Sequence, residues 1–138
     1  MNKKHNSDIE LINASTCLLL AVSDADDCID SNEIKIIKEI IIDFFNIESL
    51  NLDDVIQENL ITLEESTDFY EFGKILNENF TYQDKIDFIC CTYEVAFIDS
   101  KMHYYEDHMI KKISNILNVE HKDLINAKSE IESLLLKK

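Results

Sequence analysis

The sequence predicts an all-α fold, a compact bundle of about seven helices built from two repeated helical hairpins. Three observations carry that expectation. Proline is absent and glycine occurs once, at Gly73, whereas a β-rich chain with many tight turns draws on both. Apolar residues recur at helical spacing along most of the chain. The pattern of Leu18 to Ile41, an apolar helix running into an acidic turn from which a second apolar helix leaves, returns 73 residues later in Cys91 to Ser114. Asp26 and Glu33 in the first copy correspond to Asp99 and Glu106 in the second, with Ile29 or Met102 between them.

Taken in order, Ser7-Asp8-Ile9-Glu10 reads as a capping box, in which the serine oxygen accepts from the backbone three residues on and the glutamate reaches back. Residues 1–7 are then a tail, and 8–138 a single domain with hairpin repeats at about 8–46 and 82–118. Helix 1 is apolar nearly all round through Cys17-Leu18-Leu19-Leu20-Ala21-Val22 and belongs in the middle of a bundle. It should end near Ser23 or Asp24. Asp30-Ser31-Asn32-Glu33 is a second box, opening helix 2 with Ile34, Ile37, Ile40, Ile41, Phe44 and Phe45 inward.

Helix 3 is expected from Asn51 or Leu52 to about Ser66, with Val55, Ile56, Leu60, Ile61 and Leu63 apolar. Asp68-Phe69-Tyr70-Glu71 opens helix 4, in which Gly73 costs about 1 kcal/mol relative to alanine, so a close neighbour should fill the space its side chain lacks. Thr81-Tyr82-Gln83-Asp84 opens helix 5, the counterpart of helix 1. Helix 6 follows from about His103, and helix 7 from Glu120 or His121 with Leu124, Ile125, Ile131, Leu134 and Leu135 apolar. Tyr82, Tyr93, Tyr104 and Tyr105 could serve an interface, but most of them are expected at core edges with solvated hydroxyls.

The 28 acidic residues face 13 basic ones, all lysine, for a formal charge of −15. Residues 1–69 carry 16 acids against 4 lysines and residues 70–138 carry 12 against 9, so the first half holds −12 and the second −3. Phosphate backbones need cations, and arginine supplies the best forks for them, which disfavours nucleic acid and anionic membrane surfaces. The start MNKKHNSDIE has no apolar core of the signal-peptide kind, and no apolar run is long enough to span a bilayer. A cytoplasmic location is the expectation. Cys17, Cys28, Cys90 and Cys91 fit a reducing compartment, and the equivalence of Cys17 and Cys90 suits buried small residues better than zinc ligands or a nucleophile.

The second half also resembles a known family. Asp68-Phe69-Tyr70-Glu71-Phe72 with Asn77 is similar to the D-L-Y-x-F-x-x-x-I-N stretch of the bacterial tellurite-resistance TerB-like family, and Val95-Ala96-Phe97-Ile98-Asp99 to its V-A-x-A-D-G. Tyr105 through Ile113 resembles its Y-E-E-H-L-I-R-R-I, and His121, Asp123, Leu124-Ile125 and Ala127-Lys128 continue the pattern. The family's glycine after the aspartate is Asp27 in the first copy and Ser100 in the second, while its alanine is kept as Ala25 and replaced by Ile98. The resemblance implies a compact, acidic, all-helical cytoplasmic domain associated in bacteria with tellurite resistance and envelope or chemical stress, sometimes fused to other domains such as the J-domain of a membrane co-chaperone.

Two functional readings follow. The preferred one is a non-enzymatic interaction module that docks a basic or amphipathic protein segment, with no cofactor required and with His108, Lys112 and His121 as surface residues. His108 and Lys112 share a helix face, four residues apart. The competing reading is a divalent-cation binder, because Asp24, Asp26, Asp27, Asp30 and Glu33 place five carboxylates in ten residues and hard cations take oxygen ligands. The EF-hand pattern fails in detail: counted from Asp24, the glycine position holds Ile29 and the bidentate glutamate position Lys35. Lys101 also intrudes on the second turn. The plainer assignment makes Asp26, Asp30, Glu33, Asp99 and Glu106 turn and cap residues. Partner identity and oligomeric state are not encoded in any motif.

Overall fold

A computed structural model describes residues 2–24, 31–47, 51–65, 69–98 and 104–136. Among these residues there are seven helices and no strand: α1 (Asn2–Asp24), α2 (Ser31–Phe45), α3 (Leu52–Glu65), α4 (Tyr70–Asn79), α5 (Tyr82–Ala96), α6 (Tyr104–Ile116) and α7 (His121–Leu136). Two helix starts show local capping chemistry. Thr81 Oγ1 accepts from the Asp84 amide at 3.1 Å while the Thr81 amide donates to Asp84 Oδ2 at 3.0 Å, closing the reciprocal box that starts α5. At α3, Asn51 Oδ1 accepts from the Asp54 amide at 3.3 Å.

Two helix ends use asparagine where glycine is common. Asn46 (φ 52°) follows α2 and Asn118 (φ 60°) follows α6, both in the left-handed region. At α6 the Val119 amide then reaches back to the Ser114 carbonyl at 3.0 Å and the Asn118 amide to Asn115 at 3.1 Å. The Ile47 amide bonds the Ile42 carbonyl at 3.3 Å in the same way. Both hairpins thus close with a left-handed asparagine followed by an apolar residue, a Schellman-type stop made without glycine.

Helix α1 is the centre. Every residue from Ala14 to Ser23 is buried, and the helix packs against α2, α3, α4, α5 and α6. Leu18, Leu19, Leu20 and Val22 are wholly enclosed, and because the three consecutive leucines point to different sides of the helix, α1 is covered on several sides. Helix α5 is the second broad apolar element and packs on α1, α2, α6 and α7. Its first residue, Tyr82, donates its hydroxyl to Asp123 Oδ2 at 2.6 Å and accepts from the Glu120 amide at 2.9 Å, so α5 and α7 start side by side. A ring cluster of Phe44, Phe80 and Phe88 joins α2, the end of α4 and α5, with centroids 5.4–6.1 Å apart.

Several expectations need correction. α1 begins at Asn2, so Ser7 lies inside the helix and is not its cap; with no proline or glycine upstream, nothing stops the helix from extending toward the N-terminus. The N-cap of α4 is Phe69, which makes no side-chain cap bond, and Asp68 lies outside the described residues. Ile61, Ile125, Leu134 and Leu135 face solvent. Tyr93 is wholly buried, and its hydroxyl has no hydrogen-bond partner among the described residues. The space beside Gly73 is filled as anticipated, by Ile116 of α6.

Candidate functional site

Of the acidic turn, Asp26, Asp27 and Asp30 lie outside the described residues, as does Asp99 of the second turn, and for Asp24 only its place as the last residue of α1 is described. The two glutamates of the repeat are described, and they behave alike. Glu33 is the third residue of α2 and is 6% exposed; Glu106 is the third residue of α6 and is 2% exposed. Each stands four residues before an enclosed isoleucine, Ile37 or Ile110, on the inward stripe of its helix. A helix N-terminus is the place where a buried carboxylate is best tolerated, because the backbone amides there carry partial positive charge.

The three candidate surface residues are exposed but do not form one site. His108 stacks its ring on Tyr104, with centroids 6.4 Å apart at 14°. Lys112 turns toward α4 and holds its ammonium 5.0 Å from the centre of the Phe69 ring, a cation–π contact. His121 lies beyond the far end of α6, as the first residue of α7.

The described cysteines are poor nucleophiles. Burial pushes the Cys17 thiol up to about 11 and the Cys90 thiol up to about 11, the latter helped by Glu130, Asp87 and Glu94. Burial, then Glu94, raises Cys91 to about 12. A reactive cysteine needs an electropositive setting that favours thiolate, and these three have the reverse. Cys28 lies outside the described residues.

Among the described residues, one surface cleft, of ≈ 230 Å³, lies between α1, α3 and α4. Asn13 and Asn59 form its polar lining, and Ala14, Phe72 and Ile75 its apolar wall. Glu10, Glu58 and Thr62, all exposed, stand around them. Asn59 is 4% exposed and holds the polar lining in place: its amide donates to Asn13 Oδ1 at 3.0 Å and to the Val55 carbonyl at 2.8 Å, while its Oδ1 accepts from the Cys17 thiol at 3.1 Å. Sequence reasoning passed over this group. The available signal was an asparagine on the inner stripe of α3, three and four residues after Ile56 and Val55.

Another cleft, ≈ 190 Å³, lies between α2 and α5 and is lined by Ile40, Asp43, Phe44, Cys91 and Glu94. Partial burial, and then the Asp43 charge, raise the Glu94 carboxyl above its ordinary value. Among the described residues, no group of three or more His, Cys, Asp or Glu side chains is arranged to hold a metal ion, and no helix is long and apolar enough to cross a membrane.

Comparison with curated proteins and with solved structures gives no match. The family model for tellurite resistance protein TerB matches residues 13–129, from the buried part of α1 to the middle of α7. Its span takes in most of the first hairpin, all of the second, and the α1–α3–α4 cleft apart from Glu10 at the edge. The chain belongs to the TerB family.

Proposed function

We propose that this TerB-family domain is a non-enzymatic, cytoplasmic interaction module that docks a basic or amphipathic protein segment within a bacterial stress or tellurite-resistance-type system. The observation that carries this reading is the α1–α3–α4 cleft, where exposed carboxylates border an apolar wall on a chain of net charge −15. Such a surface attracts cations over a distance and offers them apolar contact on arrival. The raised thiols of Cys17, Cys90 and Cys91 support the same reading against a cysteine-based enzyme.

Calorimetric titration of the full chain with an amphipathic leucine–lysine helix, and with the same helix carrying glutamate in place of lysine, tests the proposal. The lysine helix should bind with one-to-one stoichiometry and weaken as salt rises; the glutamate helix should not bind. Absence of binding by the lysine helix at low salt would remove the docking reading. Melting of EDTA-stripped protein with calcium, magnesium, manganese or zinc separates it from cation sensing. Ligand at about a thousand times Kd adds about 4 kcal/mol. A rise of several degrees with one ion, abolished by Asp24→Asn together with Asp27→Asn, would favour the cation reading instead.

A further inference from the structure

We infer that the α1–α3–α4 cleft receives a single lysine or arginine side chain of the docked segment, its aliphatic stem against Phe72 and Ile75 and its cationic head between Glu10, Glu58 and the Asn13 amide oxygen. This rests on the docking reading above and goes further by naming the receptor. Size is the first argument. Pockets for drug-sized ligands run to about 300–1,000 Å³, and ≈ 230 Å³ suits one long side chain better than a whole small molecule.

Polarity is the second argument. Long cationic side chains bury a hydrocarbon stem while keeping the charged head near water, and the cleft supplies both environments. Half-buried Phe72 and Ile75 line one part, while exposed Glu10 and Glu58 stand at another. Neither carboxylate forms an ion pair among the described residues, so both are available to an incoming cation. Asn13 Oδ1 accepts one hydrogen bond from Asn59, and an amide oxygen has a second lone pair to offer. The buried Asn59 fixes that oxygen through its bond to the Val55 carbonyl, so the acceptor is oriented before a ligand arrives.

The test is a titration of the nitrogen-15-labelled full chain with the leucine–lysine helix, followed through the backbone amides, alongside a helix with glutamine at every lysine. Saturable shifts should be largest at residues 10–14, 58–62 and 72–75 and absent with the glutamine helix. Thr62→Tyr, which plugs the cleft from an exposed position, should weaken binding by about tenfold or more. The pair Glu10→Gln with Glu58→Gln, also at exposed positions, should weaken it several-fold, and melting curves should show every variant folded. If the lysine helix binds with its largest shifts elsewhere, or binds Thr62→Tyr as tightly as the parent chain, the cleft is not the receptor although the docking reading stands. If the lysine helix does not bind at all, both fall.

Discussion

Ile116 of α6 occupies the place where a Cβ on Gly73 of α4 would stand. Asn77, one turn further along α4, donates its side-chain amide to the Ile116 carbonyl at 2.9 Å, so the two helices are fastened at the point of closest approach. Ile116 is β-branched and has essentially one side-chain rotamer in a helix, so it does not swing aside. Gly73→Ala gains about 1 kcal/mol of helix propensity but forces the helices apart, and overpacking of this kind costs about 1–3 kcal/mol. A net loss in urea unfolding is expected, reduced when Ile116→Ala is added. An alanine variant as stable as the parent would show that α4 and α6 do not pack this tightly.

Asn59→Ala should cost about 1–3 kcal/mol, because the Cys17 thiol and the Val55 carbonyl each lose a buried partner. The readout is again urea unfolding, paired with alkylation of Cys17 followed by mass spectrometry. In the folded parent Cys17 should react far more slowly than in the unfolded chain, since its thiol is pushed up to about 11. Rapid labelling of native Cys17 would contradict the enclosed position described for it.

Asn118 stops α6 in the left-handed region. Alanine pays about 1–2 kcal/mol to adopt that conformation, so Asn118→Ala should lower stability by about 1 kcal/mol, while Asn118→Gly should be neutral or mildly stabilising. Equal melting temperatures for the alanine and glycine variants would mean that α6 does not end in this way.

The raised Glu94 carboxyl gives a pH signature. Burial and the Asp43 charge favour its neutral form in the folded protein. A carboxyl with a folded-state pKa above its unfolded value contributes stability at low pH and loses that contribution as pH rises through the folded value. At neutral pH Glu94→Gln should therefore melt above the parent, and the gap should close as pH falls through the carboxylate range. Thermal melts of both proteins from pH 7 downward decide it; a gap that widens on acidification would reverse the assigned sign.

Much of the helical framework was legible because capping and periodicity act locally. The Thr81–Asp84 box starts α5 where its residues say it should, and the unbroken apolar circumference of Leu18 to Val22 already implied the central place that α1 takes. What periodicity leaves open is how far along a helix a neighbour covers it. Leu134 and Leu135 continue the spacing of Leu124, Ala127 and Ile131 on α7, yet only the first three are buried. The cleft was hidden for a related reason. Its residues come from three helices separated by tens of positions, and only the packing of α3 and α4 on α1 brings Glu10, Glu58 and Phe72 together.

The all-round packing of α1 also sets an order of events during synthesis. This helix leaves the ribosome before the other six, but the neighbours that enclose it include α5 and α6, the fifth and sixth of the seven to emerge. Its leucines therefore remain uncovered while most of the chain is still being translated, and a nascent apolar segment in that condition is prone to aggregate unless something holds it. Ribosome-stalled chains ending before Tyr104 should stay protease-sensitive and bind holding chaperones, and release from both should come only once α6 has emerged.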